Sequence, residues 1–222
     1  MFDSIENLPQ QLSLNDQVYD VLKNAIINHT LPKGYKLDVN LLAKKWGVSR
    51  TPVNDAIQRL MVAGLVSVVP RKGTFVAQLD VKDILELMDV RLMFEFRAAE
   101  LVIKKLNKSQ LKEMREILTG MDELLRSSAV DYLQYSKLDM ALHELPISWT
   151  NNQKLYQLYQ AQNFQWYLSR LPRSSAGRDE HWAIFRAYEA GVVEEVKQAI
   201  QQHIEAGKKG VVTMGLMDKN KQ

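Results

Sequence analysis

Residues 48–60 read Val48-Ser49-Arg50-Thr51-Pro52-Val53-Asn54-Asp55-Ala56-Ile57-Gln58-Arg59-Leu60. Val53, Ala56, Ile57 and Leu60 fall at i, i+3, i+4 and i+7, one face of an amphipathic helix. Ser49 or Arg50 can open this helix, and Pro52 sits in its first turn, where a missing N–H costs nothing. Gly64 closes it. Upstream, Leu41, Leu42 and Trp46 mark a short helix, and Gly47 supplies the sharp turn between the two. An earlier helix carries Val18, Leu22, Ala25 and Ile26 and stops before Pro32-Lys33-Gly34. Downstream, Leu65–Val69 and Thr74–Ala77 flank Pro70-Arg71-Lys72-Gly73, two β-branched runs around a basic tip, which predicts a hairpin. Three helices and a basic hairpin make a winged helix-turn-helix, whose second paired helix suits the DNA major groove.

Charge points the same way. Residues 40–79 hold six basic side chains, Lys44, Lys45, Arg50, Arg59, Arg71 and Lys72, against one acid, Asp55. Residues 80–222 hold 20 basic and 20 acidic residues. The positive excess therefore lies where phosphates would be met. A small structural three-helix unit with a solvated charged face is the plainer alternative. The agreement of turn, helix, wing and charge argues against it.

At 222 residues, two small domains are expected, 1–78 and 79–222, joined near Gln78-Leu79-Asp80. Apolar residues make up 46% of the chain, ample for packed cores. There is no cysteine, which removes disulfides and thiolate metal sites. Met1-Phe2-Asp3-Ser4-Ile5-Glu6 has neither the basic nor the apolar region of a secretion signal. No apolar run is long enough to span a membrane. A cytoplasmic protein is expected.

From Asp80 onward the pattern is helical, with helices expected at about 81–105, 108–127, 130–148, 152–170, 178–190 and 192–214. The fold is thus read as mainly α: a winged domain, then an all-α bundle of about six helices. Asp139 and His143 are four apart, on one helix face. His181 opens the stripe His181, Ile184, Phe185, Tyr188, and His203 ends the stripe Val196, Ala199, Ile200, His203. Three of the chain's four histidines are thereby directed into one bundle. Imidazoles with a carboxylate and no thiol suit zinc, nickel, manganese or iron. Spacing alone nevertheless favours hydrogen-bonded core histidines. Arg91 has two readings, a clamp on a ligand carboxylate or an i,i+4 pair with Glu95. Arg170, Arg173 and Arg178 are expected to be solvated, and His29 to lie on the surface. Phe164, Trp166 and Tyr167 could line a pocket, but they, with Met88 and Met93, are expected in the core.

Leu37-x4-Leu42-Ala43-x3-Gly47-Val48-Ser49-Arg50-Thr51-Pro52-Val53, Ala63-Gly64-Leu65-Val66 and Arg71-x-Gly73-Thr74-Phe75-Val76 resemble the GntR family of bacterial transcription regulators. The resemblance covers about residues 15–78. It implies that Ser49, Arg50 and Thr51, with Asn40 and Asn54, meet bases or phosphates, and that Arg71, Lys72 and Gly73 meet the backbone or minor groove. Asn54 and Asn40 stand where the family usually or often has arginine. Arginine suits guanine and asparagine suits adenine, so a different operator is expected. Asp139-x3-His143, Asn152, Glu180-His181-x2-Ile184 and a histidine 22 positions on resemble the FCD ligand-binding domain of the FadR-type branch. That resemblance implies a divalent metal held by Asp139, His143, His181 and His203. It also implies a small carboxylate effector, with Arg91 and Asn152 as effector contacts. Leu142 replaces the family's usual aromatic, and Pro146 is positioned to kink the helix that carries His143.

The expected function is a transcription regulator, a repressor, that works as a homodimer on a double-stranded DNA operator and is not an enzyme. One rival is a metal-free regulator that binds an anionic or acyl effector. Another is a metal-dependent hydrolase. The hydrolase lacks a visible general base beside the cluster, and His-Glu-x-x-His, Gly-x-Ser-x-Gly and a phosphate loop are absent.

Overall fold

The structure, a computed structural model, describes residues 13–78, 80–127, 129–164 and 175–219. Trp166, Tyr167, Arg170 and Arg173 lie outside the described residues. The chain divides into two compact units, Met1–Gln78 and Leu79–Gln222.

In the first unit, α1 (Leu14–Ile27) starts at Ser13, whose hydroxyl accepts from the Asp16 N–H. α2 (Val39–Trp46) starts at Asp38, whose carboxylate accepts from the N–H groups of Asn40 and Leu41. These caps satisfy N–H groups that a helix end leaves without partners. Gly47, at φ 66°, ends α2 and makes the turn into α3 (Arg50–Val62). Gly64, at φ 71°, ends α3: the Leu65 N–H reaches Leu60 O at 2.9 Å and the Gly64 N–H reaches Met61 O at 3.0 Å. Only a residue tolerant of positive φ closes a helix in this way. Val18, Leu22 and Ile26 of α1 and Val53, Ala56, Ile57 and Leu60 of α3 form the buried core.

The wing is β2 (Val66–Val69) and β3 (Gly73–Val76), with Val69 opposite Gly73. The sequence reading missed β1 (Lys36–Leu37), which pairs antiparallel with β3 and gives the order β1-β3-β2. Two residues carry no periodicity, so only the ladder to β3 identifies them as a strand.

The second unit contains α4 (Val81–Val102), followed by a short 3-10 turn, then α5 (Lys108–Arg126), α6 (Tyr132–Trp149) and α7 (Gln153–Ala161). α8 (Ser175–Ala190) and α9 (Val193–Lys219) complete its described helices. Capping boxes open α4 (Asp80 with Asp83) and α5 (Asn107 with Gln110). α4 and α9 lie antiparallel: Lys197 Nζ meets Glu100 at 2.6 Å near one end and Lys208 Nζ meets Asp89 at 2.5 Å near the other.

Three expectations are corrected. The helix predicted over 152–170 stops at Ala161, because Asn163 takes φ 51° and its side chain folds back to Ala161 O at 3.0 Å. Met93 is 72% exposed although Met88 is buried, because the inward stripe of α4 runs Met88, Arg91, Glu95, Ala98, Ala99, Val102. Arg178 is half-buried against Asp122, to which it donates from Nε at 2.6 Å and Nη2 at 2.8 Å. The full solvation expected from the sequence fails because Asp122 lies on the facing surface of α5. Phe164 is buried with its ring centroid 4.9 Å from Tyr159, and His29 is exposed. No helix among the described residues is long and apolar enough to cross a membrane.

Candidate DNA-reading surface and candidate metal centre

Opposite its buried stripe, α3 exposes Arg50, Thr51, Asn54 and Gln58 on one face. Gln58 was not among the residues picked from the motif. Its signal is its place one turn beyond Asn54, and a carboxamide there suits an adenine edge. Ser49 precedes the helix, is exposed, and does not cap it with its side chain. The N-terminal N–H groups and helix dipole therefore face a region suited to phosphate. Asn40 is exposed in the first turn of α2, and Lys44 and Lys45 are exposed in its last turn.

At the wing tip the Lys72 N–H donates to Val69 O at 3.0 Å, closing a turn with Pro70 second and Arg71 third. Arg71 takes φ 64°, where such a turn ordinarily carries glycine. A non-glycine residue held there is strained, and strain of this kind gathers at functional positions. Arg71 and Lys72 are exposed. Gly73, at φ 123°, lets the strand pass Lys36: an added Cβ would lie 3.0 Å from Lys36 Cε.

Arg59 departs from the charge argument. Its Nη1 lies 2.9 Å from Asp16 and 3.7 Å from Asp55, and its guanidinium carbon stands 4.1 Å from the centre of the Tyr19 ring. Arg59 fastens α3 to α1, its guanidinium engaged by Asp16 and by the Tyr19 ring.

In the second unit, His143 on α6, His181 on α8 and His203 on α9 converge. Their ring centroids are 5.4, 5.0 and 4.4 Å apart (143–181, 143–203 and 181–203), and one ligand atom from each lies within 4.8 Å of the others. Asp139, one turn before His143, places Oδ1 2.9 Å from His181 Nε2 and 4.0 Å from His143 Nε2. The helix continues through the buried Pro146, and His143 keeps its inward direction. Leu142, the residue in the family's aromatic position, is itself buried.

The remaining nitrogens decide what this cluster can do. His143 Nε2 and both ring nitrogens of His181 are buried and make no hydrogen bond. Even the 2.9 Å approach of His181 Nε2 to Asp139 lacks hydrogen-bond alignment. Buried polar atoms ordinarily find partners. Imidazole nitrogens that gather in the interior without hydrogen bonds fit a cation, and three imidazoles plus a carboxylate fit a divalent metal of the zinc, nickel, manganese or iron kind.

Burial depresses His143, and Arg91 adds to this, against Glu95, which raises it. Burial also drives His203 well down, helped by the charges of His181 and His143. Both are therefore neutral and able to ligate at neutral pH. Burial pushes Glu95 up, but His143 and Arg91 outweigh it and hold the carboxyl below its usual value.

The other two predicted contacts are placed differently. Arg91 is buried, and its Nε donates to Glu95 at 2.6 Å, the pairing that competed with the clamp reading. Asn152 is exposed and caps α7, accepting from the Leu155 N–H at 3.1 Å, so the fold gives it a structural task. The sequence reading missed the role of two carboxylates. Glu95 Oε2 meets His143 Nδ1 at 2.9 Å, and Glu180 Oε2 meets His203 Nδ1 at 2.9 Å. Glu180 adjoins His181 in sequence, yet it serves His203 on another helix.

With this geometry in place, likeness to known proteins is informative. Residues 14–76 match the model for bacterial regulatory proteins of the gntR family, and residues 86–206 match the FCD domain. An uncharacterized HTH-type transcriptional regulator of Bacillus subtilis (strain 168), YdhC, is 29% identical over 85% of this chain and 84% of its own length. The HTH-type transcriptional repressor RspR of Escherichia coli (strain K12) is 21% identical, over 86% of each chain. The crystal structure of a GntR regulator from Rhodococcus sp. RHA1 shares the fold at a TM-score of 0.77, with 20% identity, over 91% of this chain and 99% of that one. The chain belongs to the GntR family of DNA-binding transcription regulators, with an FCD domain as its helical half.

Proposed function

We propose that this regulator senses a small organic acid at a divalent metal held by Asp139, His143, His181 and His203. The observation that carries the reading is the convergence of buried imidazole nitrogens that make no hydrogen bond, beside a carboxylate. When bound, a divalent ion supplies positive charge and open coordination positions. Asp139, Glu95 and Glu180 bring three negative charges to the surroundings, and Arg91 brings one positive charge. A divalent cation would offset the negative excess, and its open positions would suit an anionic ligand such as a carboxylate. Arg91, buried next to Glu95, is positioned to be drawn into the same anion's field.

Asn40, Ser49, Arg50, Thr51, Asn54 and Gln58 would read the operator, with Arg71, Lys72 and Gly73 at the wing. Two copies, paired through their helical domains, would occupy the half-sites of a near-palindrome. The effector can change DNA affinity only by favouring one of the protein's conformations. Release of repression is our reading of the sign, supported by the likeness to RspR, a transcriptional repressor of Escherichia coli.

Elemental analysis of the purified protein, beside Asp139→Ala and His181→Ala, tests the sensor. About one metal per chain in the native protein, and little in either variant, is expected. No metal in the native protein after supplementation with zinc, nickel or manganese would reduce the cluster to packing and favour a metal-free sensor.

A further inference from the structure

The three histidines are not equivalent, and the difference lies behind the rings. Glu95 on α4 accepts from Arg91 Nε through Oε1 at 2.6 Å, and its Oε2 stands 2.9 Å from His143 Nδ1. A carboxylate facing a permanently charged guanidinium only accepts, so the proton of the neutral His143 ring sits on Nδ1. Its Nε2 then keeps its lone pair, and this is the nitrogen that is buried without a hydrogen bond. Glu180 Oε2 on α8, a partly exposed carboxylate, stands at the same 2.9 Å from His203 Nδ1 on α9. His181 has no such support, since neither of its ring nitrogens makes a hydrogen bond.

We infer that Glu95 and Glu180 are positioning residues that fix the Nδ1–H tautomers of His143 and His203, and so present two Nε2 lone pairs ready-made to a divalent metal. This rests on the metal reading above and deepens it. Two of the three imidazoles are oriented before a cation arrives, and only His181 settles with it. α4 supplies no ligand of its own, yet Glu95 ties it to the site, along with Arg91 one turn earlier. Carboxylates behind ligating histidines ordinarily raise metal affinity by one to two orders of magnitude.

The test uses the full-length chain with Zn²⁺ as the probe. Glu180 is partly exposed, so Glu180→Leu removes the acceptor at little risk to the fold. Competition titration should show Zn²⁺ affinity lowered about 10–100-fold in Glu180→Leu, with partial rescue in Glu180→Asp. Nitrogen-15 spectra of the metal-free protein should place the His203 proton on Nδ1 in the native chain and lose that preference in Glu180→Leu, with His143 unchanged. Glu95→Gln should weaken Zn²⁺ binding likewise; if it fails to fold, the Glu180 pair of variants decides. Native Zn²⁺ binding with unaltered affinity and ring signals in Glu180→Leu would overturn the inference and leave the metal reading standing. Absence of Zn²⁺ binding by the native chain would overturn both.

Discussion

Arg178 grips Asp122 with two donors, Nε and Nη2, one to each carboxylate oxygen, while Trp182 Nε1 donates to the same carboxylate at 3.2 Å. The Arg178 hydrogen bond leads in holding the Asp122 carboxyl below 3.8, against burial, which raises it. As pH falls, the unfolded chain takes up this proton first. The contribution is therefore complete above about pH 5 and is lost as pH drops through the lowered folded value. Asp122→Asn should melt a few degrees below the native protein at neutral pH, and the gap should narrow towards about pH 3. Thermal unfolding followed by circular dichroism at both ends of that range checks it; a gap that does not narrow would detach the acid sensitivity from Asp122.

Arg50 and Arg59 lie on one helix and should behave oppositely. Arg50→Ala should weaken operator binding and lower the slope of log affinity against log salt by about 1, the effect of one lost phosphate contact. Arg59→Ala should leave that slope alone and lower the melting temperature of the first unit, since it breaks the tie to Asp16 and Tyr19. Fluorescence anisotropy with operator DNA across a salt series separates the two, and equal slopes for all three proteins would remove Arg50 from the phosphate contacts.

At the wing, Arg71→Gly should relieve the left-handed backbone and remove the charge together. Strain of about 1–2 kcal/mol is relieved, and the freer unfolded chain takes back up to about 1 kcal/mol. Stability should hold or rise while DNA affinity falls. Loss of stability in denaturant titration would show that the Arg71 side chain braces the turn.

Tyr188 is buried, and its hydroxyl makes no hydrogen bond. Burial, seconded by the charge of Glu95, pushes its pKa far up. Tyr188→Phe should therefore be neutral or stabilising in urea unfolding, since it removes a buried polar group without breaking a bond. A loss above about 1 kcal/mol would reveal a hydroxyl partner.

Most of the fold was legible because its signals are local. The α3 stripe, Gly47 and Gly64 act within a few residues, and short-range physics suffices to read them. What misled was side-chain company. Arg59 reads as a basic residue of a basic motif until Asp16, 43 positions away, is seen at its tip. Met93 reads as core beside Met88 until the direction of the α4 stripe is known. Asn163 looks like an ordinary helical residue until its backbone turns left-handed.

The sequence by itself determined the two-part plan and the residue types of the candidate metal cluster. Helical periodicity, turn residues and the Asp/His spacing each depend on neighbours along one element. Tertiary structure decided which groups serve which. Glu95 stands behind His143 across 48 positions and Glu180 behind His203 across 23, on separate helices. Such pairings arise only when helices pack at a particular rotation and height. A chain read in one dimension holds the donors and acceptors but not the angles that bring them together.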